Sequence, residues 1–277
     1  MRKAPNFLLI LPLAAIALTA CQSARRSEQI AYVERPVEQL YKRATDELDS
    51  RDFDDAILLF NEVERQHPYS EWARRSSLMS AFASYESRKY DDAILTSQRY
   101  LSLNPAGQGA PYAYYLIANS YFDQIMDVGR DQKTTELTKN ALLDVVRRYP
   151  DTDYARDATI KLDMVYDQLA GKEMAIGRWY LRRNQHLSAV NRFRTVVKDY
   201  ETTSHAPEAL HRLVETYLSL GLEQEALAVG SVLGYNYPNS VWYRDTYRLL
   251  GTEGLDPEAA TEAQRRTWLQ RLIPGGK

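Results

Sequence analysis

The chain has 277 residues, 44% hydrophobic and 26% charged, with 12 Gly, 11 Pro, 20 Tyr, four His and one Cys. Those proportions allow an ample core and exclude a disordered or collagen-like chain, and a formal charge of −2 excludes the global basic field of a nucleic-acid binder. A single cysteine excludes intramolecular disulfides and multi-cysteine metal clusters, while scarce glycine points to few turns and much helix.

At the N-terminus, Arg2 and Lys3 precede an apolar run from Phe7 to Leu18, interrupted only by Pro12. The run is shorter than the roughly 20 residues a bilayer span needs and has the length of a secretory h-region. Leu18-Thr19-Ala20-Cys21 then resembles a bacterial lipobox, whose cysteine takes a diacylglyceryl thioether and becomes the mature N-terminus. The alternative is an ordinary signal peptide with a chance cysteine beyond its cleavage site. The lipobox reading makes residues 1–20 the signal peptide and Cys21 the lipidation site, with several acyl chains to hold the membrane firmly. In such lipoproteins an Asp after the cysteine retains the protein at the inner membrane. Gln22 instead implies the outer membrane, with the chain on its periplasmic face. Residues 21–36 are polar and aperiodic, a tether.

From residue 37 the chain repeats. Asp54-Asp55-Ala56-Ile57-Leu58 recurs 37 residues later as Asp91-Asp92-Ala93-Ile94-Leu95, and Ala44 with Ala81, Phe53 with Tyr90 and Pro68 with Pro105 keep the same register. Tyr180 with Tyr217 and Ala189 with Ala226 repeat it late in the chain. The pattern resembles the tetratricopeptide repeat (TPR), a helix–turn–helix unit of about 34 residues closed by proline. Ala44, Ala81, Ala118 and Gly177 fill the small position where helix A meets helix B, and Ala56, Ala93, Ala189 and Ala226 fill the one early in helix B. Pro68, Pro105, Pro150 and Pro238 end B helices, and Thr152 and Ser240 stand ready as N-caps of the following helices.

The expected fold is an all-α solenoid of about five TPR units, near 37–70, 74–107, 111–152, 170–203 and 207–240, with one extra helix. Residues 37–152 make an N-terminal half of three repeats, the third carrying an insertion around Met126–Thr134. Residues 153–169 make a connecting helix, amphipathic over 155–169. Residues 170–240 make a two-repeat C-terminal half, and 241–277 a helical tail whose last helix starts near Asp256-Pro257-Glu258 and runs to about Ile273.

Catalytic patterns are missing. Cys21 is committed to the anchor, and His205 and His211 are six apart rather than the i, i+4 of a zincin pair. His67 occupies the repeat-closing slot that Tyr149 and Tyr237 fill elsewhere. Asp54-Asp55 and Asp91-Asp92 recur in register, as solvated first-turn residues do. The expectation is a non-enzymatic binding scaffold with no metal and no cofactor beyond the covalent lipid.

A lipobox followed by five such repeats resembles the BamD family, lipoproteins of the outer-membrane β-barrel assembly machinery. Tyr149-Pro150-x-Thr152-x-Tyr154, Asp157-Ala158-Thr159-x-x-Leu162 and Ala189-Val190-Asn191-Arg192 carry the likeness, which covers roughly residues 18–240. It implies docking onto the periplasmic POTRA domains of the barrel subunit BamA, company from other assembly lipoproteins, and help in receiving unfolded outer-membrane proteins. Arg192 matches the family arginine that meets an acidic BamA side chain. The other reading of Arg192 is a solvated helix-B charge among Arg182, Arg183 and Arg194. A lipoprotein adaptor that regulates cell-wall enzymes is a second function for the same architecture, and nucleic acid is not an expected partner.

Inner positions of helix A recur at three- and four-residue steps. In repeats one to three they select Tyr41, Arg75, Phe82, Tyr85, Tyr112, Tyr115, Asn119 and Phe122 as a groove. Barrel chains commonly end in an aromatic residue, whose ring the tyrosines and phenylalanines can hold while Arg75 and Asn119 take its carboxylate. An aromatic stripe at this spacing also serves as inter-helix core.

Overall fold

The structure, a computed structural model, describes residues 35–256 and 262–272. The signal peptide, Cys21 and all of the tether before Arg35 lie outside the described residues. So do Pro257, Glu258 and everything from Ile273 on. From Val37 the chain forms one compact unit, and among the described residues it contains helices and no strand. In order they are α1 (Val37–Asp49), α2 (Phe53–Gln66), α3 (Glu71–Glu86), α4 (Tyr90–Leu103), α5 (Ala110–Phe122) and α6 (Lys133–Arg148). They continue as α7 (Asp153–Leu181), α8 (His186–Asp199), α9 (Ala206–Ser219), α10 (Glu223–Asn236), α11 (Val241–Thr252) and α12 (Glu262–Leu272). None of the described helices is long and apolar enough to cross a membrane.

From α1 to α10 each helix packs on the next, giving the five-repeat solenoid, with α1, α3, α5, the end of α7 and α9 as A helices. Small residues make this close pairing possible. Ala44, Ala81 and Ala118 on A helices, and Ala56, Ala93, Ala189 and Ala226 on B helices, are fully buried. In repeat four Gly177 replaces alanine because a β-carbon there would overlap the Phe193 ring. α2, α4, α6 and α10 each end two residues before Pro68, Pro105, Pro150 and Pro238, where the proline ring would clash with the preceding turn.

Three N-caps set the entries of later helices. Ser70, Thr152 and Ser240 accept hydrogen bonds from the backbone N–H of Ala73 (3.0 Å), Ala155 (3.2 Å) and Tyr243 (3.0 Å). Thr152→Ala should therefore cost about 1 kcal/mol, read as a lowered urea midpoint with unchanged slope. Thr152→Asn, which restores an acceptor, should recover most of it.

The stretch expected as a connecting helix and the first helix of repeat four form one helix. α7 runs unbroken for 29 residues. A mid-helix glycine costs about 1 kcal/mol relative to alanine, yet Gly171 does not break it, because the site is packed. A β-carbon there would stand 3.1 Å from His205 Nε2 and 3.6 Å from Val128 Cγ2. Val128 belongs to the insertion of repeat three, which lies between α5 and α6 and is pinned to α7. Gln168 donates to the Met126 carbonyl (2.8 Å), and Lys172 donates to those of Gly129 and Arg130 (3.3 and 3.2 Å).

Two apolar clusters result. One joins Ala118, Leu142, Val145, Leu162 and Val165 around α5, α6 and α7. The other joins Met174, Phe193, Leu210, Leu213, Val229 and Leu233 in the C-terminal half. The tail adds to the second. α11 packs on α9 and α10, and α12 on α10, burying Trp268 in that cluster. Arg271 near the end of α12 pairs with Glu225 at the start of α10, so the two helices run antiparallel.

Candidate functional site

In the N-terminal half α1 touches α3, α3 touches α5 and α5 touches α7, whereas B helices of neighbouring repeats make at most marginal contact. The A helices therefore form the tightly spaced, inner side of the curve, where the sequence places its groove. Tyr41, Phe82, Tyr85, Tyr112, Tyr115 and Phe122 are all half-buried there, Asn119 is buried and Arg75 is exposed. Tyr115 and Phe122 rest against the apolar cluster below while keeping part of their surface open. Here the stripe forms the edge of the core and leaves part of each ring open.

Apart from Phe82, these residues fall into three sets of contacts. Tyr41 lies against Phe60 (centroids 5.6 Å) and Trp72 (4.8 Å), and the Arg75 guanidinium sits 5.6 Å over the Trp72 ring. Tyr85 donates its hydroxyl hydrogen to Asp123 (2.6 Å); burial, then this bond and the Asp123 charge, push that phenol above its ordinary range. The third set is the densest and joins repeat three to α7.

On α5, Tyr115, Asn119 and Phe122 share one face at helical spacing. On α7, Tyr154, Asp157 and Lys161 do the same, and the two faces meet. The Tyr154 ring lies 5.6 Å from Tyr112 and 5.1 Å from Tyr115. Tyr115 donates to Asp157 Oδ2 (2.6 Å), and Lys161 Nζ pairs with the same carboxylate at 2.8 Å. Lys161 also donates to Asn119 Oδ1 (2.7 Å) and to the Tyr115 hydroxyl (3.2 Å). Its ammonium stands 5.0 Å from the Tyr115 centroid and 5.5 Å from that of Phe122, within cation–π range.

Burial alone would raise the Asp157 carboxyl and lower the Lys161 ammonium. The bonds of each to the other and to Tyr115 outweigh that, so Asp157 is held below and Lys161 above its ordinary value. Both groups are charged at neutral pH. Burial foremost also raises the Tyr112 phenol above its ordinary range. The cation beside Asn119 is therefore Lys161. The sequence reading did not select it, or Tyr154 and Asp157 beside it, as groove residues. The signal available was their spacing, three then four residues along an amphipathic helix.

Arg192 lies on α8, half-buried, and donates to Glu173 of α7 (3.1 Å). Beside it Tyr180, Ser188, Asn191 and Thr195 line an open cleft of about 310 Å³. It is neither a fully solvated charge nor free of a partner. Further along, Arg178 grips Glu208 at 2.9 and 3.0 Å, and buried His211 shares a hydrogen with Thr246 at 2.8 Å. Among the described residues one trio of acids, Glu47, Asp52 and Asp55, brings its oxygens within 4.8 Å. It sits at exposed or half-exposed helix ends and has no feature that singles it out as a ligand set.

The helix pairing defines an all-α TPR-type solenoid, the architecture of a scaffold. The chain belongs to the YfiO family of outer membrane lipoproteins, which it matches over residues 33–232. It is 51% identical over 267 residues to the outer membrane protein assembly factor BamD of Caulobacter vibrioides, covering 96% of this chain and 88% of that one. With the BamD of Rickettsia prowazekii it shares 42% over 235 residues, covering 85% and 92%. Among solved structures it is similar to the TPR2AB domain of yeast Sti1, at 16% identity and TM-score 0.40 over 85% of this chain and 94% of that one.

Proposed function

We propose that this chain is a non-enzymatic outer-membrane protein assembly factor, anchored through Cys21 on the periplasmic face and using its two halves for two partners. The observation that carries the reading is the interlocked face of α5 and α7, in a chain that belongs to the family. There, half-buried rings remain partly open around a fixed cation. Such a surface suits an extended segment with aromatic side chains, such as the end of an unfolded barrel protein. In the C-terminal half, Arg192 is the contact for a BamA-type barrel subunit, through an acidic side chain of its POTRA domains. Other assembly lipoproteins complete the complex.

The test is co-purification with the full-length protein from native membranes. Arg192→Glu should lose the barrel subunit, since a mispaired interface charge costs several kcal/mol. Tyr112→Ala combined with Phe122→Ala should retain that subunit and bind a synthetic barrel C-terminal peptide at least tenfold more weakly. Retention of the subunit by Arg192→Glu would overturn the docking assignment, and unchanged peptide affinity would overturn the groove.

A further inference from the structure

We propose that Lys161 is the residue by which the groove reads a free carboxylate at the end of an incoming chain. Asp157 is then an exchangeable counter-ion that keeps the place in the free protein. The inference rests on the groove reading above and names the chemistry that the groove selects.

The ammonium of Lys161 has three hydrogens, and Asp157, Asn119 and the Tyr115 hydroxyl account for all three. Two of those partners are neutral and fixed on α5. The third is charged and open to solvent: the side chain of Asp157 is 44% exposed, against 21% for Lys161. The cation is thus locked in a cage of Tyr115, Asn119 and Phe122, and its anion is the part that can leave.

A largely buried ammonium stripped of its counter-ion is costly, so Asp157 yields only to another anion. A backbone carbonyl or an amide can accept a hydrogen bond but cannot neutralise the charge. Tyr115 adds to the selection, because its hydroxyl accepts from Lys161 while donating to the carboxylate, and it can donate to a replacement in the same way. The rings of Tyr112, Tyr154 and Phe122 flank this point. An aromatic residue at a chain end presents its ring and its carboxylate within a few bonds of each other and can meet both features at once.

The experiment uses the full-length protein in detergent and a fluorescent peptide of about ten residues, alternating apolar and polar and ending in Phe. The peptide is made as the free acid and as the C-terminal amide, and affinity is read by anisotropy. The acid should bind about tenfold tighter than the amide, the scale of one charge-assisted contact. Lys161→Met should abolish that difference. Asp157→Asn should tighten the acid severalfold and widen its margin over the amide. Equal binding of acid and amide, with both weakened by Tyr112→Ala and Phe122→Ala, overturns the carboxylate reading and leaves the groove standing. Insensitivity of both peptides to all of these substitutions overturns groove and carboxylate together. An amidated peptide with an added Glu that binds as tightly as the acid overturns the assignment to the chain end. Should Lys161→Met fail to fold, the acid–amide comparison and Asp157→Asn decide.

Discussion

Phe193→Ala is expected to cost about 3–5 kcal/mol of stability, among the largest effects of any single truncation in the chain. The ring is fully buried at the centre of the C-terminal cluster and lies directly over Gly177 of α7. The pair is one feature seen from two helices. Gly177→Ala puts a methyl group into the ring's space and should cost about 1–3 kcal/mol by overpacking. The double variant Gly177→Ala with Phe193→Leu should cost less than the sum of its parts, since contacting residues are not additive. Urea denaturation of the four proteins measures the coupling. Strict additivity would mean that the approach of α7 to α8 is not set by this contact.

Trp268→Ala is expected to release α12 without unfolding the repeats. Trp268 is 5% exposed in the C-terminal cluster and hydrogen-bonds Tyr217. The other ties of the helix lie at the surface. Arg271 with Glu225 is an open pair, worth little, and Arg265 stacks on exposed Tyr235. Loss of the indole removes about 3–5 kcal/mol, more than the remaining contacts of an eleven-residue helix can supply. Limited trypsin digestion should then cut at Arg265, Arg266 and Arg271 under conditions that leave the parent intact, while the main thermal transition moves little. A lowered main transition without new cleavage would show that α12 is integral to the solenoid.

The repeats were legible because their constraints are local. Fully buried alanines at most of the helix crossings, a proline two residues past four of the five B helices and a Ser or Thr cap all act within a few residues of where they are read. Gly177 was recognisable in the same register. What escaped depends on distant partners. The helix boundary expected near residue 170 disappears once Val128 and His205 are seen packed against Gly171. Lys161 looks like any solvated lysine, and only the approach of α5 to α7, 42 residues apart at Lys161 and Asn119, turns it into the fixed cation of the groove. Trp268 likewise belongs to a core whose other members lie far upstream. Asn119 reads as a polar inner position of α5, but the cation beside it could not be named from α5 alone.

The unbroken α7 makes the protein a ruler as well as a scaffold. Lys161 in the groove and Glu173, which holds Arg192, stand on the same rigid rod, about 18 Å apart along its axis at 1.5 Å per residue. Whatever occupies one face is therefore held at a set distance and bearing from whatever is docked at the other. Each residue inserted between them would turn one face against the other by about 100°. The helix thus fixes the separation and angle of the two surfaces proposed for partners, and a flexible joint at residue 170 would have left both free.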